Sequence, residues 1–190
     1  MEGVGIIIKL IVEMKIYYNF DNQDVEVISD SYKFEYPPEF EGAVIEVQSK
    51  MVIPKGVEVD IGCGNAFGGT NEDEEGGAGN EEPVLKVNDL IDGFKYEESN
   101  MDKPQFQAYI KEYLKRMMTE KRITADRLDQ FKKGCTAFVK FVLSKFADFT
   151  FYTPSDYSQE GALIYSTYKH EEDEAPVFYY ILEGLPSFKV

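Results

Sequence analysis

Hydrophobic and polar positions alternate with two different periods along this chain. In "IEVQSKMVI", Ile45, Val47, Ser49, Met51 and Ile53 alternate with Glu46, Gln48, Lys50 and Val52. That period of two predicts a half-buried strand, with Glu46 on its outer face. "FTFY", "ALIYSTYK" and "PVFYYIL" are β-rich runs separated by turn-formers such as Pro154, Gly161 and Pro176. The period changes between residues 103 and 146. Phe106, Tyr109, Ile110, Tyr113, Leu114, Met117 and Met118 recur three and four residues apart, then Leu128, Phe131, Cys135, Phe138 and Val142 do the same. Two helices of about twenty residues, each roughly 30 Å long, are expected there as an antiparallel hairpin. Asp102 and Gln105 have the spacing of a capping box, Pro104 suits a first turn, and Thr124 is the expected cap of the second helix. With no internal repeat, strands flanking one helical hairpin make the fold class α+β.

Between these patterns lies "NEDEEGGAGNEE", residues 71–82, which nearly spells a calcium loop. An EF-hand needs a helix on each side. Glycine-rich "GCGNAFGGT" precedes it and Pro83 follows, so the context fails. A phosphate loop fails too, because no lysine follows Gly69 before Thr70. Glycine with clustered like charge buries too little surface to offset chain entropy. Residues 56–82 are therefore expected to be a mobile acidic loop, with at most weakly bound calcium.

A chain of 190 residues with 43% hydrophobic content is long enough for one well-cored domain. Its net charge of −15 argues against nucleic acid or an anionic membrane as partner. The charge is segregated. Residues 103–146 hold eleven Lys or Arg against four Asp or Glu, a net of +7, which leaves −22 on the other 146 residues. A polyanionic partner for the basic element and a merely solvated helix face both fit this asymmetry.

Two cysteines, Cys63 and Cys135, and the single His170 cannot complete a four-ligand zinc site, and they suit a reducing cytosol better than a disulfide framework. Cys135 falls on the apolar stripe, as a buried inert thiol would. "VGIIIKLIV" at 4–12 is too short to span a membrane and lacks the flanks of a secretory signal. Residues 1–13 read as an extension ahead of a domain at 14–190.

Several segments in order resemble the translationally controlled tumour protein family. They are "MKIYYNF", "VEVISDSYKF", "IGCGNAF" opening the acidic loop, "QAYIKEYLKRM", "FVKFVLSKFADFTFY", "GALIYSTYK" and "PVFYYILEGL". The resemblance implies a mixed β-sheet tent with an inserted helical hairpin and a flexible acidic loop. It also implies a non-enzymatic cytoplasmic binding protein with calcium, tubulin or microtubules, and a small Ras-type GTPase or translation elongation factor as partners. Carried over residue by residue, it assigns the GTPase-facing side to Glu26, Ser29 and Asp30. The tubulin-associated segment falls on the basic hairpin at Lys111, Lys115, Arg116, Lys121 and Arg122; no metal ligands are assigned. One departure is "TPSD" after Phe151 and Tyr152, where the family usually has Gly-Glu. The same tent fold occurs in B-type methionine sulfoxide reductases, so an enzyme is the alternative reading, and a simple calcium buffer is another.

Overall fold

The computed structural model describes residues 14–19, 21–54, 85–120, 123–155 and 161–189. The extension 1–13, the acidic connection expected at 56–82, Cys63, Lys121 and Arg122 lie outside them.

Three sheets and three α-helices make up the described chain. Strand β1 (Lys15–Tyr18) pairs with β2 (Glu26–Ser29) and with the last strand, β11 (Ser187–Lys189), in a three-stranded antiparallel sheet. The main sheet has six strands in the order β3-β4-β10-β9-β8-β7. These are β3 (Phe34–Glu35), β4 (Val44–Gln48), β10 (Val177–Ile181), β9 (Ile164–Thr167), β8 (Thr150–Thr153) and β7 (Glu97–Ser99). A short ribbon pairs β5 (Met51–Val52) with β6 (Val87–Asn88). Helices α1 (Asp89–Phe94), α2 (Lys103–Thr119) and α3 (Leu128–Ser144) complete the fold.

The long apolar run splits where the sequence suggested one strand. β4 ends at Gln48, Ser49 is buried with its hydroxyl donating to the Pro176 carbonyl (2.5 Å), and β5 restarts in the ribbon. Glu46 is not on a solvent face either: it is 6% exposed. Both faces of β4 are covered, so alternation there separates two cores, not core from water. Val44 faces a cluster with Phe40, Phe106, Phe138, Tyr165 and Tyr179, while Ile45 and Val47 face a second one with Val27, Leu90, Tyr96 and Phe178. Burying the Glu46 carboxylate requires partners. Lys169 supplies an ion pair and the Tyr179 hydroxyl, cross-strand from it, a hydrogen bond.

The helices follow their periodicity, at seventeen residues each. Phe106, Ile110, Tyr113 and Met117 of α2 are buried, as are Phe131, Cys135, Phe138 and Val142 of α3; Met118, expected on the stripe, stays exposed. The capping box at Asp102 and Gln105 forms with both bonds in place (2.8 and 2.9 Å). The helices run antiparallel, since Lys103 Nζ at the start of α2 donates to the Leu143 carbonyl near the end of α3 (3.0 Å). Thr124 does not cap α3. Residues 124–127 form a turn closed by the Arg127 amide on the Thr124 carbonyl (3.0 Å), and α3 starts one residue later with no side-chain cap. The turn delivers Arg127 to Glu183 (2.6 Å) and the Gly42 carbonyl (3.2 Å), tying the hairpin to the body. Gly134 sets how closely α3 lies on the turn at Pro38–Phe40, because a Cβ there would sit 2.0 Å from the Phe40 carbonyl oxygen.

Candidate partner-binding faces

Glu26 opens β2, exposed, opposite Tyr18 at an irregularity in the β1–β2 register. Asp30 follows the same strand, also exposed, roughly 13 Å further along at strand spacing. Asp30 is held by a reciprocal pair with Lys15: its Oδ1 accepts the Lys15 amide (2.9 Å) and its own amide donates to the Lys15 carbonyl (3.0 Å). Ser29 sits apart from both. It is buried, with its hydroxyl 2.5 Å from that of Ser31, so it supports the strand and presents no side chain to a partner. Glu26 and Asp30 thus share an acidic edge, while Ser29 lies behind it.

β2 is the outer strand of its sheet, and an outer strand leaves backbone groups without ladder partners. Here the buried hydroxyl of Tyr96 donates to the Val27 carbonyl and lies 3.0 Å from the Tyr180 hydroxyl. Helix α1 closes the same side, with Phe94 and Tyr32 rings 6.0 Å apart. Sequence reasoning missed both features. A signal for α1 was present in Asn88, whose Oδ1 caps the amides of Leu90 and Ile91 (3.1 and 3.2 Å).

The basic element divides into two groups. Lys111 and Lys115 of α2 are exposed, as are Lys132, Lys133 and Lys140 of α3. At 100° per residue, Lys115, Lys133 and Lys140 stand opposite the buried stripes of their helices. Arg116 is different. Its Nη2 meets Asp21 Oδ1 at 2.5 Å, its Nε is 3.9 Å from Glu120, and its side chain is only 27% exposed. It fastens the hairpin to the loop between β1 and β2, so its guanidinium is already engaged within the molecule. Arg127, paired with Glu183, is engaged the same way.

Cys135 is 1% exposed on α3, and burial, with the nearby Glu183 carboxylate, pushes its thiol well above the ordinary range. A thiolate is the reactive form, so this cysteine is chemically quiet. We predict that Cys135 resists a thiol-specific reagent at pH 8 in native buffer and reacts on unfolding in denaturant. Full labelling of both cysteines in the native protein, read by intact mass, would refute this. Among the described residues no group of three or more His, Cys, Asp or Glu could hold a metal ion, and no helix is long and apolar enough to cross a membrane.

A family model for translationally controlled tumour protein matches residues 14–186. The chain belongs to the translationally controlled tumour protein family. It is 37% identical over 178 residues to a translationally-controlled tumor protein homolog of Plasmodium yoelii yoelii, covering 90% of this chain and 97% of the relative. A Plasmodium chabaudi chabaudi homolog is 36% identical over the same coverage. Among solved structures, the translationally controlled tumor-associated protein p23fyp of Schizosaccharomyces pombe superposes with a TM-score of 0.68 at 27% identity, over 93% of this chain and 99% of that one. The Caenorhabditis elegans protein shares the fold at a TM-score of 0.61 and 24% identity, over 93% and 98%. The family match begins at Met14, one residue before β1.

Proposed function

We propose that this member of the family is a non-enzymatic cytoplasmic binding protein that works through two oppositely charged faces. The outward lysine face of the hairpin engages the acidic surface of tubulin or microtubules. The acidic edge at Glu26 and Asp30 engages a small Ras-type GTPase or a translation elongation factor. Weak calcium association through the carboxylates of residues 71–82 belongs to the same reading.

The observation that carries it is the sorting of cations on the hairpin. The arginines Arg116 and Arg127 are consumed by Asp21 and Glu183, yet Lys111, Lys115, Lys132, Lys133 and Lys140 stay exposed, and Lys115, Lys133 and Lys140 point away from the core. Like charges four residues apart on a helix, as at Lys111 and Lys115, repel modestly, and an acidic partner would relieve that repulsion. The same partner turns the lysine excess into steering, which rises as salt falls. Affinity for purified tubulin dimers should therefore drop steeply between 0.1 M and 1 M salt, measured by fluorescence titration. A flat salt response would count against the lysine face.

For the acidic edge we predict that Glu26→Val weakens binding to the GTPase partner while the thermal midpoint stays nearly constant. The side chain is exposed, and such substitutions typically change stability by about 0.5 kcal/mol or less. Equal titration curves for wild type and variant would remove Glu26 from the contact.

A further inference from the structure

Among the described residues Glu46 is the only charged residue buried in the fold. Glu35 of β3 stands directly across from it in the β3–β4 register, and like charges so placed repel. On the other flank Tyr179 of β10 is its registered partner and donates a hydrogen bond to the carboxylate. The cation that balances Glu46 is Lys169, which also attracts the Glu35 carboxylate at longer range.

Lys169 lies two residues beyond β9 and reaches over β10 to β4. The backbone on both sides of it is fixed. Thr167 donates its hydroxyl to the Asp148 carbonyl (2.9 Å), and the His170 amide donates to Asp173 Oδ2 (2.9 Å). The side chain of Lys169 is 41% exposed against 8% for Glu46, so a reagent reaches the cation while water hardly reaches the anion. Lys33 and Lys95 differ, because their partners Glu35 and Asp92 are 52% and 47% exposed and stay hydrated without them. Loss of the charge on Lys169 instead leaves Glu46 buried without a cation and opposite Glu35, a strongly destabilising arrangement. The weak element nearby is β3, two residues long and joined to β4 by two registered pairs. Its Phe34 ring packs on Tyr17 of β1 (5.4 Å), so release of β3 also loosens the junction with the three-stranded sheet.

We propose that Lys169 is a regulatory acylation site, at which an acyl group from a thioester donor unlatches β3 from the main sheet. The lysine ammonium gives one proton to solvent, and its amine nitrogen attacks the thioester carbonyl carbon. A C–N bond forms, the C–S bond breaks, and the thiol departs with a second proton from the nitrogen. The amide product is neutral, so Glu46 loses its cation while the repulsion from Glu35 remains. The latch uses neither the outward hairpin lysines nor Glu26, so it does not depend on the tubulin or GTPase reading.

The test compares the full chain carrying Nε-acetyl-lysine in place of Lys169 with the unmodified protein. Expected is hydrogen exchange at least about tenfold faster in residues 34–35 and 44–48, with α2 and α3 unchanged. The thermal midpoint should fall by about 5 °C or more. Lys169→Arg keeps the charge and should exchange like the wild type. Glu46→Gln in the acetylated chain removes the stranded charge and should restore at least half of the lost midpoint, or restore folding if the acetylated chain alone does not fold. In a second arm the native protein is incubated with acetyl-coenzyme A at pH 8, and peptide mass spectrometry should find Lys169 among the modified lysines. Wild-type exchange in the acetylated chain, no rescue by Glu46→Gln, or acetylation of Lys111 and Lys115 without Lys169 would each overturn the proposal.

Discussion

Phe138→Ala is expected to destabilise the protein by about 3–5 kcal/mol, the range for truncating a fully buried aromatic ring. Phe138 is 0% exposed and lies at the joint between hairpin and sheet. Its ring meets Tyr165 edge-on at 4.9 Å, Phe40 at 5.3 Å and Tyr179 at 5.8 Å, so one side chain from α3 touches two strands and the turn at Pro38–Phe40. Gly134, one turn earlier on α3, holds the helix backbone against Phe40, which limits how far the helix can sink into the vacated space. A void that cannot collapse costs more than the transfer energy alone. Small domains have only about 5–15 kcal/mol in total, so the variant should unfold at a far lower denaturant midpoint. Chemical denaturation followed by circular dichroism and by tyrosine fluorescence reads this directly. A loss below about 1 kcal/mol would mean that the hairpin does not pack on the sheet through this ring.

Most of the helical half of the fold was legible from spacing. The stripes of α2 and α3 and the capping box at Asp102 obey local rules, and local rules survive in the folded chain. The strands were legible as runs but not as burial patterns. Glu46 reads as an outward residue by alternation, yet the chain places a second core behind β4 and covers the carboxylate with Lys169, which is 123 positions away. No local period carries that information. The same limit applies to Thr124, a sound cap by composition. The hairpin turn is instead organised by Arg127 reaching Glu183, again a distant partner.

The candidate faces were legible to different degrees. Counting charges revealed the basic element, but counting cannot separate Lys115, which is exposed, from its neighbour Arg116, which is bound to Asp21. One residue along a helix is a 100° rotation, enough to turn a side chain from solvent to the body. On the acidic edge, Ser29 and Asp30 are adjacent in sequence, yet Ser29 is buried as the last residue of β2 while Asp30, in the turn that follows, is exposed. Tyr96, which closes the edge of β2, lies 69 positions from Val27 and gave no sequence signal.

Co-sedimentation with microtubules by K111E/K115E/K133E/K140E tests the two-faced charge design most directly. These four lysines are exposed, and the reversal takes residues 103–146 from a net +7 to −1 while leaving Arg116–Asp21 and Arg127–Glu183 intact. The buried stripes Phe106, Ile110, Tyr113, Met117 and Phe131, Cys135, Phe138, Val142 are untouched, so helix content should match the wild type by circular dichroism. Wild-type protein should pellet with microtubules at 0.1 M salt and be released towards 1 M, as the screening length shrinks from about 10 Å to about 3 Å. The folded variant should stay in the supernatant at every salt concentration. If it pellets like the wild type across the whole series, the lysines are a solvated surface, and the hairpin is not the face that meets an acidic partner.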